Sequence, residues 1–417
     1  MALLSEVLKQ ATGVIADRGE GVLLFDEDER RYLDFTAGIG VTSTGHCHPR
    51  VVEAAQQQVA KVIHAQYTTV MHRPLLTLVE RMGEVLPAHL DRTFFANSGS
   101  EAVEAALRLA RMATGRPNVI AFHGGFHGRT VAAASLTTSG TKFRSGFGPL
   151  MSGVHIAPFP DATLYGWRLD EATDFCLKQL DYLLQSISHP DDTAALMVEP
   201  VLGEGGYVPG NERFFAGLRE RADRHGILLV LDEVQTGWGR TGRFWGLDHF
   251  GVRPDILITA KGIASGFPLS AIAAPADLMA KAWPGSQGGT YGANAVACAA
   301  ALATMDVIRD EKLVENSATQ GAALRAALED VAGKFAAITD VRGLGLMLGN
   351  EFRDADGNPD GATATAAQRE AARRGLLLLT CGAWGQVVRF IPALVVQPDH
   401  IQEAAGIWAD SVAAVTG

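Results

Sequence analysis

Cysteine is scarce in this chain: four residues among 417, at Cys47, Cys176, Cys298 and Cys381, with no Cys-x-x-Cys pair. That spacing offers neither a disulfide framework nor a zinc cluster, and it points to a reducing compartment, the cytoplasm. Basic charge is also short, with 36 Lys and Arg against 46 Asp and Glu and a formal charge of −10. A nucleic-acid binder needs a basic footprint that this balance does not supply. No apolar run approaches the ~20 residues that span a bilayer, so no membrane partner is expected. The first turns carry Glu6 and Lys9 and lack the charged start, long apolar middle and small-residue cleavage site of a secretory signal. Internal repeats and low-complexity linkers are missing too. Lysine itself is rare, 8 of the 36 basic residues, so a lysine at a special position stands out.

What is present reads as a folded globular chain. Hydrophobic residues make up 47% and charged residues 20%, an ordinary balance for a packed core, and the length suggests about two or three domains. Short apolar runs end in polar residues. Ile227–Leu231 stops at Asp232, Ile256–Ala260 at Lys261, Ala194–Val198 at Glu199, and Thr93–Phe95 just before Asn97-Ser98-Gly99-Ser100. Unbroken apolar runs of this length suit strands buried on both faces of a parallel sheet. Between them, Glu101–Met112 repeats Val103, Ala106, Leu107 and Ala110 on one helical face, and Arg213–His225 is a second helix candidate. The alternation predicts an α/β fold with a largely parallel sheet between helices. Ligands of such sheets bind beyond the carboxyl ends of the strands, so Asp232, Lys261, Glu199 and the Ser98–Ser100 turn are expected to share one site. After about residue 300 the pattern changes to a helix near Ala293–Arg309, another near Glu311–Ala332, and shorter strands. The expected organisation is a large ligand-binding domain over 46–309 and a small α+β domain over 310–417, with residues 1–45 packing against the small domain.

Three segments carry candidate chemistry. Ser98-Gly99-Ser100-Glu101 is a capping box before an amphipathic helix. The free N–H groups and dipole of that helix start form an anion site, although an ordinary cap reads the same way. Lys261 ends a buried strand and precedes Gly262-Ile-Ala-Ser-Gly266. Desolvation there would lower its pKa and free the amine to attack a carbonyl, whereas a surface lysine at a strand end is the plainer alternative. Asp232 ends the most apolar strand and needs a partner, which could be a protonated ring nitrogen, a metal or a helix cap. No metal is expected. His46-Cys47-His48 sits in a Gly/Pro turn without further ligands, and His123 and His127 lack the glutamate and the helix of a metalloprotease motif. Gly343-x-Gly345 is followed by no helix and reads as a glycine-containing strand rather than a dinucleotide fingerprint.

Taken together, these segments resemble the class III (subgroup II, ω-amino acid) aminotransferases among the fold-type I enzymes that use pyridoxal 5′-phosphate (PLP). The likeness runs from Tyr32-Leu-Asp-Phe-Thr-Ala-Gly-Ile-Gly40 to Arg389-Phe-Ile-Pro392. It is most specific in Leu231-Asp-Glu-Val-Gln-Thr-Gly237, Gly239-Arg-Thr-Gly242, Pro254-Asp-Ile-Leu257 and Lys261-Gly-Ile-Ala-Ser-Gly-Phe-Pro268. The resemblance implies a large domain with a mainly parallel, seven-stranded type of sheet and a smaller α+β C-terminal domain. It implies that Lys261 carries the cofactor covalently and later moves the substrate proton, and that Asp232 partners the pyridine nitrogen. By the same token Gln235 lies near the ring oxygen, Val234 and Phe126 face the two sides of the ring, His127 belongs to the cofactor pocket, and Gly99 and Ser100 hold the phosphate. Thr290, in Gly288-Gly-Thr-Tyr-Gly292, resembles the threonine that reaches the phosphate from a neighbouring subunit, which implies a homodimer with shared sites, as a dimer or within a tetramer.

The same resemblance bears on the substrates. Arg129 is similar to the arginine that grips a distal carboxylate, and Arg389 to the one that pairs with an α-carboxylate, both roles suited to a planar guanidinium. Glu204 resembles the glutamate that neutralises the second arginine, Glu199 a further carboxylate beside the cofactor, and Ile39 and Tyr67 residues that shape the donor pocket. The expected reaction is transfer of the amino group of 4-aminobutyrate or a similar ω-amino acid to 2-oxoglutarate, giving a semialdehyde and glutamate. Acetylornithine, ornithine, 5-aminovalerate and 6-aminohexanoate remain alternative donors, pyruvate an alternative acceptor, and a PLP-dependent racemase or aminomutase the alternative from another class.

Overall fold

The apolar runs become strands because each has two faces to bury. Seven of them form the central sheet: β1 (Arg92–Ala96), β2 (Asn118–Phe122), β3 (Val154–Ala157), β4 (Thr193–Val198), β5 (Leu228–Asp232), β6 (Ile256–Thr259) and β7 (Ser270–Ala274). The computed structural model describes residues 4–416. The spatial order is β1-β7-β6-β5-β4-β2-β3. Only β7 runs antiparallel to its neighbours; the remaining pairings are parallel. Successive side chains of a strand point to opposite faces, and two cores follow. Leu229 and Leu231 of β5 face the same core as Leu196, Val198 and Leu257. Val230, Met197, Ile256 and Ile258 face the other.

Helices cover both faces. Helix α1 (Gly99–Thr114) lies on the second core through Ala102, Val103, Ala106 and Ala110, whose small side chains allow a close approach to the sheet. Helices α2 (Leu169–Ser186) and α3 (Glu212–His225) bury Leu177, Leu180, Phe214 and Leu218 in the first core. The expected helix from Glu101 starts two residues earlier, at Gly99, because Ser98 is the cap: its side chain accepts from Glu101 N–H, and the Glu101 carboxylate accepts from Ser98 N–H at 2.8 Å. Later in the chain a helix spans Ala295–Asp310, capped by Asn294, and the next spans Leu313–Ala332 after a left-handed Lys312.

Two four-stranded sheets and a two-stranded hairpin of Val201–Leu202 with Val208–Pro209 lie beside the central sheet. Ala16–Glu20, Leu23–Asp26 and Arg31–Asp34 form an antiparallel meander, and Leu376–Leu377 adds to it beside Arg31–Asp34. Ile338–Leu344, Met347–Phe352, Val387–Phe390 and Leu379–Cys381 form the other, in that spatial order. Gly343-x-Gly345 marks the tight turn of its first hairpin, where Gly345 has φ 53°. Arg389 lies on the third strand of this sheet. Among the described residues no helix is long and apolar enough to cross a membrane, and no group of three or more His, Cys, Asp or Glu side chains is arranged for a metal.

Candidate active site

The carboxyl ends of β1, β4, β5 and β6 deliver their terminal residues to one cavity of about 290 Å³, near the lower end of the size range for small-molecule sites. Gly99, Ser100, Phe126, His127, Glu199, Asp232, Val234, Gln235 and Lys261 all line it. The topology accounts for the gathering: parallel neighbours end on the same edge of the sheet, so one polar residue terminating each apolar run reaches one place.

At the floor, Asp232 is buried. Its Oδ2 lies 2.8 Å from His127 Nδ1, and its Oδ1 accepts Val234 N–H at 3.1 Å. Burial opposes protonation of His127, but the bond to Asp232 and the charges of Asp232 and Glu199 outweigh it and raise its pKa. Glu199 accepts Phe126 N–H at 2.8 Å and Gly203 N–H at 2.9 Å, so it ties the 123–126 turn to the 202–206 turn. Burial pushes the Glu199 carboxyl well above the ordinary range, against the pull of His127.

Lys261 stands at the end of β6 with a left-handed φ of 46°, a conformation rarely seen outside glycine. Among the described residues its ammonium has no hydrogen-bond or ion-pair partner. Burial lowers its pKa, while the Glu204 and Asp232 carboxylates pull the other way. Glu204 and Arg389 form a salt bridge in which the two side chains are only 14% and 4% exposed. Burial opposes ionisation of Glu204, but Arg389, Lys261 and Lys142 hold it below its usual value. Arg389 is raised by Glu204 against the effect of its own burial.

The opposite wall fits a flat ring with an anionic tail. The N–H groups of Gly99 and Ser100 open α1 and have no acceptor among the described residues, which leaves them free for a phosphate. A Cβ at position 99 would come within 3.2 Å of Val234 Cγ1, so only glycine leaves that space open. The Gln235 Oε1 and His127 Nε2 atoms are buried without partners, and an unpaired buried polar atom calls for a ligand.

Glu204, Arg389 and the other expected residues are not among those that line this cavity. Arg129 is exposed; its N–H donates to Ser100 Oγ at 3.2 Å, and its guanidinium lies 4.8 Å from the Phe143 ring centre. Phe143 in turn meets Phe126 edge to face at 5.0 Å. Ile39 is 44% exposed with φ 69°, and a Cβ at its neighbour Gly40 would lie 3.9 Å from the Gln235 side chain. Thr290 is exposed on the loop before the Ala295–Asp310 helix. Tyr67 is half-buried, its hydroxyl unpartnered. The cavity also includes Val41, Asn97, Gly128 and the Gly266-Phe-Pro-Leu269 turn, which received no role from sequence reasoning. The small residues after Lys261 were the available signal for that turn.

Comparison with known proteins agrees with this geometry. The family described as aminotransferase class-III matches residues 5–412. A 5-aminovalerate aminotransferase of Pseudomonas putida is 39% identical, over 94% of this chain and 92% of its own length. A 4-aminobutyrate aminotransferase of Escherichia coli is 38% identical, with the same two coverages. The solved structure of an amine transaminase from an uncultivated Pseudomonas species, in its PLP-bound form, superposes with a TM-score of 0.89 at 30% identity, covering 97% of this chain and 95% of that one.

Proposed function

The chain belongs to the class III aminotransferases, which work with PLP, and from that membership we propose that it moves the amino group of an ω-amino acid onto 2-oxoglutarate. The donor in this reading is 4-aminobutyrate or a homologue one or two carbons longer, leaving as its semialdehyde, and glutamate is the second product.

The observation that carries the reading is the buried Glu204–Arg389 pair beside Lys261. An ω-amino donor presents no carboxylate next to its reacting carbon, so a bare Arg389 would be an unpaired buried cation. Glu204 neutralises it. A 2-oxo acid does bring a carboxylate to that place and can engage the guanidinium in two parallel bonds once Glu204 withdraws. The distal carboxylate of either substrate then belongs to Arg129, which pairs with no carboxylate among the described residues and lies against the Phe143 ring beyond Phe126.

When bound, PLP supplies the electron sink that makes a Cα–H bond acidic enough to break. The remaining work falls to side chains. Lys261, whose pKa burial lowers, would take that proton from the amine-bearing carbon of the donor and return it to C4′ of the cofactor. Asp232, fixed by His127 Nδ1, would partner the ring nitrogen, where a carboxylate favours the protonated form. The Gly99 and Ser100 N–H groups, at the start of α1, would hold the phosphate. Phe126 and Val234, which line the cavity, would confine the ring, and Glu199 fixes the backbone that carries Phe126. We propose a homodimer as the working unit, because Thr290 stands exposed on a loop that also displays Trp283 and Tyr291.

A donor panel tests the reading. Purified holoenzyme is given 4-aminobutyrate, 5-aminovalerate, 6-aminohexanoate, N-acetylornithine and ornithine, with 2-oxoglutarate and pyruvate competing as acceptors. Glutamate formed fastest from an ω-amino acid supports it. A preference for pyruvate, or turnover without any acceptor, overturns it.

A further inference from the structure

Arg240 is 2% exposed yet has no carboxylate partner among the described residues. Its Nη1 donates to the Leu346 carbonyl at 3.1 Å and to the Pro392 carbonyl, while Nε and Nη2 find no acceptor. Its own carbonyl accepts from Leu346 N–H at 3.0 Å and from Ser317 Oγ at 2.9 Å. Burial lowers its pKa to about 10. An apolar side chain would fill this space without desolvating a charge. What the arginine adds is a donor, Nη1 at the end of a planar group, that reaches two carbonyls at once.

Those carbonyls belong to the frame of the substrate site. Pro392 follows Arg389 by three residues, and the segment between is gripped elsewhere too: Ile391 N–H donates to Phe35 O, and Leu394 N–H to Ser43 O, both at 2.9 Å. On its other side Arg240 lies in the loop that begins with Asp232 and Gln235. A Cβ at Gly345 would collide with the backbone of Thr241 and Gly242, and one at Gly321 with Gly345 itself. The loop and the hairpin therefore meet backbone to backbone, with the Arg240 side chain as the polar tie across the seam.

We propose that Arg240 is a positioning residue that sets the place of Arg389, and through it the affinity for the carboxylate adjacent to the oxo group of the acceptor. The proposal rests on the reading of Arg389 as the α-carboxylate site. It separates from a general structural role because Arg389 is neutralised by Glu204 during the donor half-reaction and is needed only in the acceptor half.

The test uses holoenzyme of wild type, Arg240→Lys and Ser317→Ala. Glutarate binding is measured by calorimetry, and the two half-reactions by single-turnover absorbance. For Arg240→Lys the glutarate Kd and the KM for the 2-oxo acid rise about tenfold, as a displaced binding group requires, while the donor half-reaction stays within about threefold. Ser317→Ala loosens the same loop without touching the charge and shifts both values in the same direction by less, which keeps the test open if Arg240→Lys fails to fold. Equal losses in both half-reactions, or an unchanged glutarate Kd in both variants, overturn the proposal. Should wild type ignore glutarate and 2-oxoglutarate, the acceptor assignment fails, and pyruvate, whose single carboxylate adjoins its oxo group, serves as the probe for Arg240 with the same expected rise in KM.

Discussion

Replacing Glu204 by glutamine removes the counter-charge of Arg389 while keeping the shape of the side chain, and the structure gives its consequences direction and size. The arginine is 4% exposed, so it cannot recover its hydration. Breaking a buried pair from one side costs about 3–5 kcal/mol, which for a chain of this length is a loss of roughly 3–6 °C in Tm. The wild-type acceptor must displace a bound carboxylate, whereas the Glu204→Gln acceptor meets a vacant arginine. If about half of the lost energy returns as binding, a dicarboxylate binds roughly 10–100-fold more tightly to the variant. The donor half-reaction moves the other way, because an ω-amino donor leaves the arginine bare.

The assay combines three readings on holoenzyme: glutarate binding by calorimetry, thermal unfolding with and without saturating glutarate, and single turnovers with 4-aminobutyrate or glutamate. Glutarate should restore most of the lost Tm in the variant and raise it less in wild type. Stability also depends on pH. Glu204 is held below its ordinary pKa of 4.5, so its contribution is complete above that value and disappears as the pH falls through the lower, folded value. Wild type and variant should converge in strong acid. Weaker glutarate binding in the variant, or equal slowing with both amino donors, would refute the reasoning.

Three further outcomes are expected. Gly203→Ala places a Cβ 2.5 Å from Gln235 Nε2 and 3.2 Å from Glu199 Oε2; overpacking of about 1–3 kcal/mol should lower Tm and loosen PLP, read by dialysis and absorbance, and a variant that keeps both refutes the close packing. Glu233 is pushed up to about 7 by burial, against the bonds from Thr236, Leu247 N–H and Gly246 N–H. Between its ordinary 4.5 and about 7 the unfolded chain has lost a proton that the folded chain keeps, so this group makes stability fall as pH rises through that window, by up to about 3 kcal/mol; urea melts of Glu233→Gln should lose that slope, and parallel pH curves would refute the assignment. Mixing Lys261→Ala with Thr290→Val subunits should give more activity at limiting PLP than the mean of the two, because a hybrid dimer with shared sites owns one intact site; a strict average would refute the sharing.

How much of this was legible in the sequence depended on whether a residue acts locally. The strands of the central sheet announced themselves because both their faces are buried, so 228–231 and 256–258 are unbroken apolar runs. The first strand of the N-terminal meander, Ala16–Glu20, is largely exposed and reads as loop. Its sheet is completed by Leu376–Leu377, pairing across more than 300 residues, and no local pattern encodes that. The helix at Leu313 begins after a left-handed lysine, whereas a periodic reading carried it back to Glu311.

The same rule sorts the site. Lys261, Asp232 and Glu199 could be singled out because each interrupts an apolar run at a strand end, and parallel topology makes such ends converge. What each of them bonds to could not be read, since a partner is a property of the folded chain. Asp232 needed a partner on energetic grounds, and the structure supplies His127 from 105 residues away. Glu199 is held by two backbone N–H groups, neither of which has a residue-type signature. These donors do not titrate; burial sets the direction of the shift at Glu199 and Lys261 against the pull of nearby charges, and at His127 the bond and charge of Asp232, with the charge of Glu199, outweigh burial. The chemistry of the site therefore resides in a few buried charges whose spacing the folded chain sets, and a short segment such as Gly239-Arg-Thr-Gly242 shows none of that spacing in its residue types.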